Sequence, residues 1–261
     1  MKPNKPIVAL LLSVFLLPGC AANKPLTRTS FPDQSKAYVI VQGCGPIQYT
    51  YVSAASATGV LFGALGGAIG GAIDGTIGAA KQKQLMEKVG EWSVCDFFTK
   101  NLEASLQASL GRNAFSRDPA AQDADVKKML ILTKPKPSSS DRWQERQDRK
   151  EYQSNIDAAT AWLEKNGFTH LMTIKLEYVG MLESAGRLNY KVAAVGSLYD
   201  IHKPGQTLWK RYAESNRDLS VPEERLTFES ELQKEPEVIR QTFIARAGDV
   251  VRSFSNDFKS E

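Results

Sequence analysis

Two histidines, three cysteines and one carboxylate in an apolar setting are the side chains of this 261-residue chain whose type and placing could do chemistry. His170 opens an alternating run, on the face of Met172 and Ile174, where a satisfied edge histidine is expected rather than a catalyst. His202 lies in His202-Lys203-Pro204-Gly205, a turn, and is expected to be solvated. No Gly-x-Ser-x-Gly elbow, His-Glu-x-x-His or Cys-x-x-Cys is present. Asp74 could serve as a carboxylate inside a membrane, or mark where a helix leaves the apolar layer; the second is favoured. These residues point away from an enzyme, and no catalytic, metal or cofactor site is expected.

The cysteines point elsewhere. Lys2 and Lys5 make a basic start, and Ile7 to Leu17 is an apolar core too short to anchor across a bilayer. Leu17-Pro18-Gly19-Cys20 then resembles the lipobox of bacterial lipoproteins, with Pro18 a departure in its second place. The resemblance implies cleavage before Cys20 and acylation of Cys20, with multiple acyl chains giving stable anchoring. Ala21, not aspartate, follows the cysteine, which by the same resemblance favours the outer membrane. Cys44 and Cys95 are then the remaining thiols, in an oxidising compartment. A Cys44–Cys95 disulfide is expected, against the alternative of two buried free thiols.

Between those cysteines runs a glycine-rich stretch. Gly59, Gly63, Gly67, Gly71 and Gly75 recur every fourth residue, and Gly66, Gly70, Asp74 and Gly78 run beside them. Leu61, Leu65, Ile69, Ile73 and Ile77 keep the same spacing about 200° away. As a helix this has a small face and an apolar face. Its eight glycines from Gly59 to Gly78 would cost roughly 8 kcal/mol relative to alanine. Close small-xxx-small packing in a membrane offsets such a cost. Neither the Walker nor the dinucleotide glycine pattern fits; a low-complexity loop is the plain alternative. The rows resemble the glycine-zipper segments of Gram-negative envelope lipoproteins, such as complement-resistance, surface-exclusion and rickettsial surface-antigen types, which implies membrane association and self-assembly. Val52 to Ile73 holds 22 uncharged residues, about 33 Å as one helix, so a single crossing is possible. A strand precedes the stretch and a helix follows it. A hairpin bent near Gly66-Gly67 or Gly70-Gly71 is therefore favoured.

The flanking elements follow from periodicity. Ala37–Val41 reads as a strand ended by Gly43, and Lys81–Glu91 as helix-prone. Ser93 caps a helix carrying Phe98, Leu102, Leu106 and Leu110, with Asp96 as capping-box partner. Val126–Leu132 reads as a strand, Pro135–Gln153 as a solvated break, and Asn155–Asn166 as a helix. Thr169–Val179 alternates with Met172, Ile174, Leu176 and Tyr178 on one face. Arg187–Ile201 and Gln206–Ala213 complete an antiparallel meander. Ala213–Lys234 is a polar connection. Pro236 then opens a last helix whose stripe is Ile239, Phe243, Ala247, Val250, Phe254 and Phe258.

The expected fold is α+β: a mixed or antiparallel sheet with helices packed on it, plus a membrane-associated zipper. Residues 1–19 are a signal peptide, 20–36 a tether and 37–51 the first strand of a periplasmic domain. Residues 52–91 are the zipper insertion, and 92–258 the rest of the domain with a flexible insertion at 135–153. From Ala37 to Phe258 the element order resembles the domain shared by curli-secretion-channel lipoproteins, penicillin-binding-protein activator lipoproteins and the N-terminal domain of the Tol translocation protein. Of 33 basic and 29 acidic side chains, loss of Lys2 and Lys5 leaves 31 against 29. With no basic stripe, no nucleic-acid partner is expected. Two functions fit: an envelope structural or assembly lipoprotein that forms a homo-oligomer on membrane lipid, or an adaptor for another envelope protein. Cys20→Ser should leave an unacylated precursor by intact mass; a processed chain lacking lipid would contradict the lipobox reading.

Overall fold

One strand runs the length of this sheet and the others are arranged on it. The computed structural model describes residues 26, 31–52, 75–110, 113–116, 123–138, 142–184, 187–215 and 226–258. Cys20, Asp74, Gly59, Gly63, Gly67, Gly71, Leu61, Leu65, Ile69 and Ile73 lie outside the described residues, as do the expected signal peptide and hairpin bend. The strands are β1 (Ala37–Gln42), β2 (Gln48–Val52), β3 (Phe115–Ser116), β4 (His170–Ser184), β5 (Arg187–Asp200) and β6 (Thr207–Ser215). Their order is β3-β1-β4-β5-β6, with β2 also on β4. β1 pairs with His170–Lys175 and β2 with Gly180–Ser184, both parallel to β4, so the two lie in tandem along one edge of it. β5 and β6 continue as the expected antiparallel meander.

The helices are α1 (Gly75–Val89), α2 (Cys95–Leu110), α3 (Asp123–Met129), α4 (Arg142–Lys165), α5 (Phe228–Leu232) and α6 (Pro236–Asn256). A 3-10 turn, Leu130–Thr133, follows α3. Side chains of α1, α2, α5 and α6 share the larger core with one face of the sheet. The 3-10 turn and α4 share the smaller core with Tyr38, Ile40 and Leu171 on the other face. The fold is thus α+β, with a mixed sheet between helices. The α6 stripe from Ile239 to Phe258 is fully buried, and so are Phe98, Leu102 and Leu106 of α2, whose Cys95 amide donates to Ser93 Oγ at 3.2 Å. Among the described residues no helix is long and apolar enough to cross a membrane.

Four expectations are corrected. Val126–Leu132 is helical, not a strand: Val126, Met129 and Leu132 are spaced by three and face the smaller core together. The break at 135–153 ends early, because α4 begins at Arg142. Its first turns carry no apolar stripe and rest on pairs four apart, Gln144–Asp148 at 2.7 Å and Glu145–Arg149, and Tyr152 donates to the Lys134 carbonyl at 2.8 Å. On β4 the register shifts between Leu176 and Tyr178. Glu177 is the extra residue of a bulge, so Val179 and Met181, not Tyr178, continue the core face of Met172, Ile174 and Leu176. Finally, residues 37–51 hold two strands rather than one.

The interruption between β1 and β2 has a steric basis. Gly43 has φ +79, and a Cβ there would stand 2.3 Å from the Leu176 carbonyl oxygen. Across the bulge, a Cβ on Gly180 would stand 2.3 Å from the Gln48 carbonyl oxygen. Both glycines let β4 lie against the tandem pair. Cys44, in this gap, is bonded to Cys95 with Cα atoms 5.6 Å apart, tying the gap to the start of α2. Closing a loop of 51 residues stabilises by about 4 kcal/mol on the chain-entropy account. Denatured but unreduced protein should therefore take up no maleimide, and reduction should lower the unfolding free energy by about that amount; two labelled thiols before reduction would refute the bond.

Candidate functional site

The described polar groups of most interest gather at the Ser184 end of β4, where β2 ends and α1 begins. Tyr49 on β2 turns its ring into the larger core, against Phe228 at 4.7 Å, and its hydroxyl donates to Glu183 Oε2. Lys81 of α1 places its ammonium 2.9 Å from the same carboxylate oxygen and 3.4 Å from Glu229 Oε1. That ammonium also stands over the Phe228 ring at 5.0 Å and the Tyr49 ring at 5.7 Å. Glu229 is held by the start of α5, where Thr227 and Ser230 form a reciprocal cap.

These contacts fix the charge of each group. Burial raises the Tyr49 hydroxyl, and the Glu183 carboxylate beside it raises it further, so it stays a protonated donor. For Lys81 burial acts downward, but Glu183 and Glu229 together outweigh it and the ammonium is raised. Glu229 is lowered, first by its own backbone N–H and then, against some burial, by Lys81. A more strongly protonated lysine and a more strongly protonated tyrosine are neither nucleophile nor base at neutral pH. The cluster is built to hold α1 to the sheet.

Three further contacts complete the hold. The Gln82 carboxamide accepts from the Tyr49 amide and donates to the Ile47 carbonyl at 3.0 Å. Leu85 and Val89, three and seven residues on, are buried in the larger core. At the far end Gly90, at φ +74, donates to the Met86 carbonyl at 2.8 Å and closes the helix. Arg240 of α6 donates to the Val89 carbonyl at 2.7 Å. Beside this cluster, Glu231 is buried, accepting from the Tyr190 hydroxyl at 2.6 Å and lying 2.8 Å from Lys234 Nζ. Burial, then that carboxylate, raises the Tyr190 hydroxyl.

Of the residues singled out in the sequence, Cys44 and Cys95 are brought together and Gly75 opens α1. His170 is buried, packed edge-on against Phe31 at 5.0 Å and hydrogen-bonded to Thr169 Oγ1 at 2.8 Å; His202 is exposed. Among the described residues no group of three or more His, Cys, Asp or Glu could hold a metal ion. Sequence reasoning missed Tyr49, Lys81, Gln82, Glu183 and Glu229. Lys81 carried a signal, as the first cation after the glycine run, whereas Tyr49 and Glu183 are 134 positions apart.

No family model matches the chain, and no curated protein is significantly similar to it. Similar solved structures include the PelC dodecamer from Paraburkholderia phytofirmans, 8% identical at TM-score 0.38, covering 92% of this chain and 95% of that one. The hypothetical protein CT253 from Chlamydia trachomatis is 10% identical at TM-score 0.38, over 86% and 98%. Lipoprotein GNA1162 from Neisseria meningitidis is 15% identical at TM-score 0.25, over 79% and 97%. Identities and scores this low carry neither fold nor function across to this chain.

Replacing Lys81 with methionine leaves Glu183, largely buried, without its cation and should cost about 1–3 kcal/mol at neutral pH. Because the folded-state lysine is raised above its unfolded value, this stability is fully present below about pH 10. It is lost as pH rises through the folded value. Urea unfolding of both chains from pH 7 to 11 should show the gap constant and then closing; a gap that widens with pH would contradict the assignment.

Proposed function

We propose that this protein is a lipid-anchored outer-membrane assembly protein, held by an acylated Cys20, that self-associates through the glycine zipper of residues 52–91 and presents its α+β domain to the periplasm. The observation that supports this best is where the glycine segment is tied down. Val52 pairs with Ser184, and Lys81 binds the neighbouring Glu183. Gly75 is six residues before Lys81, about 9 Å along a helix. Both ends of the segment therefore belong to one end of one sheet. A single crossing needs them on opposite sides of a layer about 30 Å thick. A segment that enters and returns meets the constraint, each leg of about twelve residues reaching about 18 Å.

The phase of α1 supports the packing side of this reading. Gly78 is buried and shares a helical stripe with Leu85 and Val89, seven and eleven residues on. Continued upstream as a helix of the same period, that stripe would run through Gly71 and Gly67, with Asp74 and Gly75 at its two margins. The small face would then turn toward the leg leaving β2, or toward the same face of a second copy, while Leu61, Leu65, Ile69 and Ile73 turn to lipid. The domain is the rigid base from which the zipper is held.

A second reading, an adaptor for another envelope protein with the zipper only as anchor, draws on the outer face of α6. There Val238, 48% exposed, is flanked by Gln241, Thr242 and Ala245 in an open depression. Cross-linking in membranes separates the two. Gly67→Ile or Gly71→Ile should dissociate a discrete homo-oligomer and leave the domain folded, while Ile69→Val does little. A monomer that co-purifies with a different protein, or an oligomer indifferent to all three changes, would overturn the first reading.

A further inference from the structure

The two parts of the chain that reach for lipid leave the domain at opposite ends of its longest strand. β4 spans His170–Ser184, fifteen residues and about 45 Å. The glycine segment departs and returns at the Ser184 end, from Val52 of β2 and to Gly75 of α1. The chain from Cys20 arrives at the other end. Phe31 is buried there: its ring stacks on Phe115 at 5.4 Å and stands edge-on to His170 at 5.0 Å and to Phe258 at 6.3 Å. Just beyond it, the Lys36 carbonyl accepts from the amides of Thr169 and His170 at 2.9 and 3.0 Å. The chain is thus docked by Phe31, eleven positions after Cys20. Eleven residues reach at most about 40 Å at full stretch. As a relaxed coil they span about 18 Å.

We infer, resting on the reading that Cys20 and the glycine segment enter the same membrane, that the domain lies along that membrane, with β4 parallel to the surface and the β3–β1–β2 side of the sheet against the lipid headgroups. Standing on the Ser184 end would lift Phe31 about 45 Å above the layer. That exceeds the full stretch of the eleven residues back to Cys20 and is more than twice their relaxed span. Standing on the His170 end would lift the glycine segment as far, and legs reaching about 18 Å would not meet lipid. Lying down satisfies both attachments. The side turned to the membrane follows from the sheet order. β3 is outermost on the β1 side of β4, and β2 lies on that same side, so both departures share one long edge. α2 packs along it on β1 and β3, and its exposed Asn101, Ala104 and Ala108 present no charge. β6, carrying Lys210, Arg211 and Glu214, borders the opposite side.

The test uses the full lipidated chain in vesicles of phosphatidylethanolamine and phosphatidylglycerol. Single fluorophores are placed at four exposed positions: Gln34→Cys and Ala80→Cys mark the two ends, Ala104→Cys and Gln206→Cys the two sides. Energy transfer to headgroup-labelled lipid reads the height of each. The Gln34 and Ala80 positions should stand at one height, and Ala104 should stand lower than Gln206. Vesicle flotation and intact mass are read on the same samples. A chain without acyl groups, or one that the vesicles do not retain, overturns the proposed function and this inference with it. An acylated, retained chain whose labels at positions 34 and 80 differ in height by about 45 Å overturns the inference alone. So does one whose label at position 206 lies nearer the lipid than that at position 104.

Discussion

Closure governs this molecule: the chain leaves the sheet at the end of β2 and must return to the same place. Bringing the ends of such a segment together costs entropy that grows only slowly with length, so a long excursion is tolerated if its return is well secured. Here it is secured four ways. Gln82 bonds the backbone of β2, Lys81 joins Glu183 and Glu229, Leu85 and Val89 sink into the core, and Arg240 takes the last carbonyl of α1. The Cys44–Cys95 bond closes a wider circle around the same excursion. Each contact is individually modest. Together they make α1 part of the domain rather than a linker to it.

The rest of the fold serves that closure. β4 is long enough to pair with β1 and then β2, and the glycines at 43 and 180 allow the close approach this needs. β5 and β6 stiffen β4 from the other side. Gly196 leaves room for the Trp209 ring, whose Nε1 donates to Asp257 at 3.0 Å just beyond α6. α6 in turn packs on α2, β5 and β6, and reaches α1 through Arg240. The hold on the glycine segment is thus continuous with the main core.

Where burial imposes a period, the sequence was readable. The α6 stripe and the α2 row are each one-sided, and a one-sided helix must repeat at 3.6; on β5, Leu188, Tyr190, Val192, Ala194 and Leu198 keep a period of 2 on the larger core, although Ala193 and Ser197 are buried between them. The failures have particular causes. Met129-Leu130-Ile131-Leu132 is a short apolar run, and such runs do not distinguish strand from helix. The first turns of α4 lie ahead of the smaller core's reach and show no stripe at all. The Glu177 bulge reverses the alternation halfway along β4, so a correct period gave the wrong face for Tyr178. At the site, the disulfide was open to inference because few thiols compete for partners. Tyr49, Lys81 and Glu183 meet only through parallel pairing of distant strands, which no local pattern encodes.

The central claim is that both ends of the glycine segment stay together on the domain when the protein is in its membrane. The distance between nitroxide labels at Gln48 and Ala80, both exposed and on either side of the Tyr49–Gln82 contact, measures this directly. Pulsed dipolar spectroscopy on the lipidated chain in membrane vesicles should give one narrow distribution below about 20 Å, the same as in detergent. A membrane-specific population beyond about 30 Å, the thickness of the hydrocarbon layer, would mean that the segment crosses and that the closure seen here is broken in place.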